Sequence, residues 1–181
     1  MRWRCAICWA AVTNLVRPIV LVGFMGAGKS KIGRLLAERL GVPFADSDAE
    51  IEREFGLPVP EIFATHGEPS FRAAEQRVIA ELLGKPLRVI AVGGGAFVDP
   101  ENQRLVNASA DTIWLDPPFE IIAERIARSN SRPLASSRSV DELRELWEQR
   151  RPSYAGAHLR IETADDDPQR VVDAILDRLA R

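Results

Sequence analysis

Residues 23–30 read Gly23-Phe24-Met25-Gly26-Ala27-Gly28-Lys29-Ser30 and directly follow the apolar run Ile19-Val20-Leu21-Val22. A strand that leads into a glycine-rich turn and then a helix is the context of a phosphate-binding loop. The glycines let backbone N–H groups face phosphate oxygens, and the positive end of the next helix adds to the attraction. The pattern therefore predicts a bound nucleoside triphosphate. The alternative is a glycine-rich turn followed by a chance Lys-Ser pair.

The last two residues of this loop carry chemistry of their own. Lys29 is placed to reach the β- and γ-phosphates as a point charge. The Ser30 hydroxyl is placed to ligate Mg²⁺, which prefers oxygen donors. Both expectations depend on a helix that begins near Lys29.

The composition describes an ordinary globular chain of one domain. It has 181 residues, of which 46% are hydrophobic and 28% charged, enough for one sizeable core. A net charge of −2 gives no field that attracts nucleic acid or a membrane surface. No apolar run approaches the length of a membrane span, so we expect a cytoplasmic protein, and nothing in the sequence requires an obligate partner.

The first 17 residues read as an extension outside the fold, loosely ordered, with residues 18–181 as the domain. Cys5 and Cys8 form a C-x-x-C in this extension. A structural zinc site would need two more ligands at suitable spacing, which His66 and His158 do not provide. We interpret the two cysteines as reduced thiols.

Apolar runs alternate with helical periodicity along the chain, which predicts an α/β fold with a five-stranded parallel sheet flanked by helices. Strands are expected at residues 19–22, 42–45, 88–92, 112–115 and 158–162. Helices are expected near residues 29–40, 48–55, 60–65, 70–83, 119–128 and 141–150, and from Pro168 onward. The segment of residues 129–140 is rich in Ser, Arg and Pro and lacks periodicity, which favours a mobile lid.

Asp46-Ser47-Asp48 ends the second predicted strand, at the edge where open α/β sheets bind ligands. Alternation along a strand would send both carboxylates the same way, toward the nucleotide loop if the two strands are neighbours. One carboxylate could then hold Mg²⁺, and the other could orient or deprotonate an attacking hydroxyl. The alternative is a plain helix cap.

Gly93-Gly94-Gly95 follows the third predicted strand. The run is either a tight turn out of the sheet or a bare backbone that a small ligand approaches closely. Arg72 and Arg150 are candidate anion anchors, although Arg72 could instead form a surface pair with Glu75, and a cation near a helix end is favourable whatever the function.

Taken together, these motifs resemble the shikimate kinase family from about Pro18 to the last helix. The resemblance rests on the loop at residues 23–30, Asp46-Ser47-Asp48, Phe71-Arg72-Ala73-Ala74-Glu75, Gly93-Gly94-Gly95, Arg132-Pro133-Leu134 and Arg150-Arg151-Pro152-Ser153-Tyr154. It implies a P-loop kinase fold with a substrate-binding segment at about residues 46–75. It also implies ATP-dependent phosphorylation of the 3-hydroxyl of shikimate, on the route to the aromatic amino acids. Since nothing in the sequence suggests an obligate partner, we expect a monomer.

The same resemblance implies residue roles. Asp48 would bind the shikimate hydroxyls and act as base or orienter, Arg72 and Arg150 would hold the carboxylate, and the Gly94 backbone would contact ring substituents. Ser30 and Asp46 would serve Mg²⁺, the latter mainly through water. The implied ATP-binding residues are Gly26, Ala27, Gly28, Lys29, Ser30, Lys31 and the lid residue Arg132; Lys29, Asp48 and Arg132 would be catalytic.

Three features depart from the family pattern. Lys31 stands where Thr is usual, which adds charge near the phosphates. The lid between Arg128 and Arg132 is short, so no role is assigned to Arg128. Asp165-Asp166-Asp167 occupies the loop that usually helps to hold adenine, and no role is assigned there either. Two rival functions are a kinase for another small acid such as gluconate, and a non-catalytic module that senses ATP or shikimate.

Overall fold

The structure is a computed structural model that describes residues 15–128, 139–163 and 167–180. Within these ranges five strands alternate with seven α-helices. The strands are β1 (Ile19–Val22), β2 (Phe44–Asp46), β3 (Val89–Ala91), β4 (Asp111–Asp116) and β5 (Leu159–Glu162). The helices are α1 (Lys29–Leu40), α2 (Ser47–Phe55), α3 (Val59–Leu83), α4 (Pro100–Ser109), α5 (Phe119–Ala127), α6 (Val140–Tyr154) and α7 (Pro168–Leu179).

The strands form one parallel sheet in the order β2-β3-β1-β4-β5, which confirms the predicted fold class. Strand β1 is central, with β3 on one side and β4 on the other. Asp46 pairs in register with Ala91 of β3, and Ala91 pairs with Leu21 of β1. The carboxyl ends of β1, β2 and β3 therefore lie side by side at one edge of the sheet.

Both faces of the sheet are covered, as expected for parallel strands. Alternate residues of β1 serve opposite faces: Val20 and Val22 pack with α3, α5 and α6, whereas Ile19 and Leu21 pack with α1 and α7. All four side chains are fully buried. Each such side chain contributes roughly 1.5–3 kcal/mol on burial, so the strand before the glycine-rich loop is held rigidly from both sides.

Several element boundaries differ from the sequence prediction. Helix α4 was not predicted, although Asp99 caps it by accepting from the Glu101 and Asn102 N–H groups, with Pro100 in its first turn. The two helices expected at residues 60–65 and 70–83 form one element, interrupted at Gly67, where φ is 77°. Helix α6 continues through Pro152 to Tyr154, although proline lacks the N–H that would bond the preceding turn.

Two residues at the end of the predicted N-terminal extension contact the rest of the fold. Leu15 packs against the core on the α1 and α7 side. Arg17 donates to the carbonyls of Asn107, at 3.0 Å, and Ala108, at 2.6 Å. Residues 15–17 therefore belong to the fold, and the remainder of the predicted extension, with Cys5 and Cys8, lies outside the described residues. Among the helices described, none combines the length and apolarity that a membrane crossing requires.

Candidate active site

The glycine-rich loop connects β1 to α1 in the predicted way. Gly23, Gly26 and Gly28 have φ values of 137°, 82° and 95°, a region that other residues rarely adopt. Lys29 and Ser30 are the first two residues of α1. The Lys29 ammonium donates to the carbonyls of Gly23, at 2.8 Å, and Phe24, at 3.1 Å. The lysine therefore lies folded over the loop, above the N–H groups at the start of the helix.

A cavity of about 500 Å³ opens at the carboxyl ends of β1, β2 and β3. It brings together most of the candidate site residues, namely Gly26, Gly28, Lys29, Ser30, Lys31, Asp46, Asp48, Arg72, Gly94 and Arg150. Ala27 does not line it; its side chain is buried in the core and its N–H donates to the Phe24 carbonyl. Arg132 and the rest of the predicted lid before Ser139 lie outside the described residues.

Asp46 makes one contact with each of its carboxylate oxygens. It is the N-cap of α2, where Oδ1 accepts the Asp48 N–H at 3.1 Å. Its other oxygen, Oδ2, accepts from the Ser30 hydroxyl at 2.6 Å. A helix cap can therefore also face the phosphate-binding loop, because β2 ends level with β1.

The structure orients the aspartate pair in a different way from strand alternation. Strand β3 lies between β1 and β2, so β2 does not neighbour the strand that precedes the loop. Asp48 lies in the first turn of α2 and not on the strand, so strand alternation does not orient it. Both carboxylates nevertheless line the cavity, since the helix turn brings Asp48 back above the strand ends.

The Asp48 carboxylate lines the cavity in a half-buried position. Its Oδ1 is buried and has no hydrogen-bond partner among the described residues. Burial, together with the nearby Asp46 carboxylate, raises the pKa of Asp48 to about 6 against the attraction of Lys29. An unsatisfied buried acceptor of this kind is costly. Asp48 as a whole is half-buried and lines the cavity, so its carboxylate can meet a hydroxyl group there.

The glycine triplet is the place where three elements meet. A Cβ at Gly93 would come 2.5 Å from Asp48 Oδ1, and one at Gly94 would come 3.2 Å from the Met25 nitrogen of the loop. A Cβ at Gly95 would come 3.1 Å from Arg72 Nη1. A side chain at Gly93 would therefore displace the Asp48 carboxylate, whereas one at Gly94 or Gly95 would need its neighbour to move by only a few tenths of an ångström.

Arg72 lines the cavity from α3 and is not a simple surface charge. It donates to Glu75 at 2.8 Å and to Glu68 at 3.1 Å. The Glu75 side chain is only 1% exposed, and burial raises its pKa although Arg72 opposes the shift. A buried carboxylate thus fixes the arginine fork at the wall of the cavity.

Arg150 reaches the same cavity from α6. Its guanidinium lies 5.8 Å from the centre of the Phe24 ring, within the range of a cation–π contact. By contrast, Arg128 pairs with Glu124 on the exposed face of α5 and does not line the cavity. Two guanidinium groups from distant parts of the chain therefore share a cavity with four carboxylates, those of Asp46, Asp48, Glu52 and Glu75.

Sequence reasoning missed several participants. Glu75 was noted within a motif but was given no role, and Tyr154 was given none although its hydroxyl donates to the Gly94 carbonyl. Arg125 of α5 donates to the Gly26 carbonyl at 3.3 Å. Apolar side chains of Phe63 and Phe71 also line the cavity. Periodicity would have marked both phenylalanines as ordinary core residues, so no local signal distinguished them.

The fold and the site define a class of protein. A five-stranded parallel sheet, a phosphate-binding loop on its central strand and a small cavity with carboxylates and arginines are the features of a P-loop kinase for a small molecule.

Comparison with known proteins supplies the particular family. The family model for shikimate kinase matches residues 25–180. Shikimate kinase of Caulobacter vibrioides is 48% identical over 164 residues, covering 90% of this chain and 82% of that protein. A shikimate kinase structure from Acinetobacter baumannii, in complex with shikimate, has a TM-score of 0.87 at 37% identity and covers 94% of this chain and 96% of its own. The chain belongs to the shikimate kinase family.

A second structural neighbour bears on the rival function. A gluconokinase from Sinorhizobium meliloti has a TM-score of 0.57 at 21% identity, covering 91% of this chain and 93% of its own. A likeness at this identity concerns the fold alone. The assignment to the shikimate kinase family therefore rests on the shikimate kinases. The gluconokinase supports the fold alone.

Proposed function

We propose that the chain transfers the γ-phosphoryl group of ATP to the 3-hydroxyl of shikimate, giving shikimate 3-phosphate and ADP. One observation carries the proposal: the phosphate-binding loop lines the same cavity as Asp48, Arg72 and Arg150. A polyhydroxylated carboxylic acid calls for guanidinium groups at its carboxylate end and an acceptor at its hydroxyl end. The cavity has both, facing a site for a triphosphate.

Asp48 is the residue we assign to the reacting hydroxyl. In its ionised form it accepts the proton of the hydroxyl as that oxygen bonds to the γ-phosphorus, while the bond from phosphorus to the β–γ bridging oxygen breaks and ADP leaves. Its carboxylate lines the cavity together with the phosphate-binding loop, which supports this role. The Gly94 backbone, beside it in the cavity wall, would contact substituents of the ring.

Arg72 and Arg150 are assigned to the carboxylate of the acid. Arg72 keeps its fork in place through Glu75, so it enters binding already ordered. Charge-assisted hydrogen bonds of this kind are worth about 1.5–3 kcal/mol each, which supports recognition of an anion over a neutral polyol.

ATP would be held by the loop N–H groups, with Lys29 moving from the loop carbonyls to the phosphates and Lys31 adding a second cation. The cradle would be formed by the backbone N–H groups of Gly26, Gly28, Lys29, Ser30 and Lys31. Ala27 would support its shape, because its N–H donates to the Phe24 carbonyl. Charge on the transferred group would be stabilised by Lys29 and by Arg132 from the lid, which we assign to about residues 129–140. A closing lid would also exclude water, so that ATP is not merely hydrolysed.

Mg²⁺ is part of the proposal through the chemistry of its donors. The Ser30 hydroxyl and Asp46 Oδ2 are hard oxygen donors 2.6 Å apart, as Mg²⁺ prefers. No cluster of three or more His, Cys, Asp or Glu side chains that could hold a metal exists among the described residues, which fits an ion bound largely by phosphates and water. When bound, Mg²⁺ would neutralise phosphate charge during transfer.

We also propose that the enzyme acts as a monomer in the cytoplasm, as expected from the sequence. The substrate-binding segment would be about residues 46–75, which includes Asp46, Asp48 and Arg72, together with Arg150 from α6.

The test is ADP release by the purified chain with ATP and Mg²⁺, with shikimate, gluconate or no acid added. Shikimate-dependent ADP release, with a phosphorylated acid as co-product, supports the proposal. Release that depends on gluconate instead would favour the rival kinase. Shikimate binding by calorimetry without any turnover would favour the sensing module and overturn the proposed reaction.

A further inference from the structure

The Tyr154 hydroxyl connects two parts of the cavity that lie far apart in sequence. Tyr154 ends helix α6 and its side chain is buried, with 1% exposure. Its hydroxyl donates to the Gly94 carbonyl at 2.5 Å. Arg150 precedes it by one helical turn, so the two side chains share a face of α6. One hydroxyl therefore lies between the glycine triplet and a guanidinium group of the cavity.

A run of three glycines loses more backbone conformational entropy on folding than other residues do. Hydrogen bonds from other parts of the chain are therefore needed to hold it in one conformation. Two side chains supply them. The Gly93 N–H donates to the Ser47 hydroxyl at 3.0 Å in a buried contact, and the Gly94 carbonyl accepts from Tyr154. Because the C=O and N–H of a trans peptide point in opposite directions, the Tyr154 bond also sets the direction of the Gly95 N–H.

Tyr154 remains a donor throughout the pH range of a kinase assay. Burial raises its pKa to about 12, although the charge of Arg150 and a hydrogen bond with it act in the opposite direction. The guanidinium and the phenol oxygen are thus close neighbours. The Tyr154 ring also contacts Trp114, with centroids 6.1 Å apart, so the ring itself is held by packing that does not involve the hydroxyl.

We propose that Tyr154 is a positioning residue for the acid substrate: its hydroxyl fixes the Gly94 peptide and the Arg150 guanidinium in the relative arrangement that binds the acid. The inference rests on the proposed function, because Gly94 and Arg150 are assigned to substrate binding only by that proposal. It assigns the hydroxyl to substrate affinity, whereas a structural tyrosine would affect stability alone.

The experiment compares Tyr154→Phe with Thr112→Val. The first removes the hydroxyl and keeps the ring. The second removes another buried hydroxyl, which bonds Asn107 at 2.8 Å, at the amino end of β4 and away from the cavity. One neutral hydrogen bond corresponds to roughly a threefold to tenfold change. We expect Tyr154→Phe to raise the KM for shikimate by that factor, with kcat and the KM for ATP within about twofold of wild type, and Thr112→Val to leave both KM values unchanged.

An unchanged KM for shikimate in an active Tyr154→Phe enzyme overturns the inference, as does an equal rise in both KM values. A rise in the KM for shikimate in Thr112→Val also overturns it, because the effect would then follow stability. Wild-type protein with no shikimate turnover would overturn the proposed function, and this inference with it. Melting temperatures measured on all three proteins separate loss of folding from loss of affinity.

Discussion

The Asp48 carboxylate lies directly against the α-carbon of Gly93, so closely that a methyl group at Gly93 would sit 2.5 Å from Asp48 Oδ1 and 3.2 Å from Glu75 Oε1. Heavy atoms do not approach to 2.5 Å without a hydrogen bond or a covalent link, so a side chain at this position would displace the carboxylate. The position of the proposed base therefore depends on the absence of a side chain on the neighbouring strand end.

Gly93→Ala is expected to lower kcat/KM for shikimate by about 100-fold, since a displacement of about 1 Å in a reacting group costs that much. ATP binding should stay within about twofold of wild type, because Gly93 does not belong to the loop. Gly84→Ala is the matched control: Gly84 ends α3 in an ordinary helical conformation, with its nearest new contact at 3.6 Å. Steady-state kinetics on both variants measures the effect. A kcat/KM of Gly93→Ala equal to that of wild type would contradict the prediction.

The fold was predictable because its main signals are local. Strand β1, the loop and α1 follow one another within 22 residues, and their glycines and periodicity are visible in the sequence. The order of the strands was not visible. Pairing of β2 with β3, and of β3 with β1, joins residues more than 40 positions apart, and no local pattern encodes that choice.

The candidate site was predictable in its residues and less so in its geometry. Asp46 and Asp48 were identified, but their orientation comes from a helix cap and a helical turn, which follow from where α2 begins. Glu75 and Tyr154 were missed because their importance lies in burial beside Arg72 and Gly94. Burial of one polar atom is a property of tertiary packing, which a single sequence does not display.

Arg150→Ala is expected to raise the KM for shikimate about 10- to 100-fold, the equivalent of one charge-assisted hydrogen bond. The KM for ATP should stay within about twofold. Arg144→Ala is the control, because Arg144 lies on the same helix but pairs with Glu120 outside the cavity. A loss confined to ATP would show that Arg150 serves the nucleotide, and the carboxylate assignment would be wrong.

Ser30→Ala is expected to raise the Mg²⁺ concentration for half-maximal activity by about tenfold, since it removes one of the two oxygen donors. The variant also leaves Asp46 Oδ2 without its 2.6 Å donor. Thr65→Ala removes a hydroxyl that bonds its own helix at Glu61, far from the loop, and should not change the Mg²⁺ requirement. Titration of Mg²⁺ at saturating ATP and shikimate measures the effect; identical half-saturation in Ser30→Ala and wild type would exclude Ser30 as a ligand.

Asp48 should also determine the acid limb of the pH profile. With its pKa raised to about 6 by burial and by Asp46, the carboxylate is ionised above pH 6 and can accept the proton of the hydroxyl. Below that pH it is protonated, so kcat/KM for shikimate should fall about tenfold per pH unit. Asp48→Asn should lose transfer at every pH while it still binds ATP. A profile that stays flat from pH 5 to 8, measured in one buffer series, would remove Asp48 as the base.

The burial of the Asp48 carboxylate also lowers the free energy of unfolding of the ligand-free protein when the group is ionised. A carboxyl group with a higher pKa in the folded state binds its proton more tightly there, so ionisation lowers stability as pH rises from about 3.8 to about 6. Asparagine carries no charge at any pH. Asp48→Asn should therefore raise the free energy of unfolding at pH 8 by roughly 1–3 kcal/mol, and this gain should disappear as pH falls to about 4.

Urea unfolding at pH 8 and pH 4, without nucleotide or acid, measures both values. Asp177→Asn, on the exposed side of α7, is the matched control and should shift stability by less than about 0.5 kcal/mol at either pH. A stabilised but inactive Asp48→Asn protein would mean that the fold tolerates a desolvated charge because the reaction needs it. Equal stability of Asp48→Asn and wild type at pH 8 would instead mean that water reaches the carboxylate, and the argument from its burial would fail.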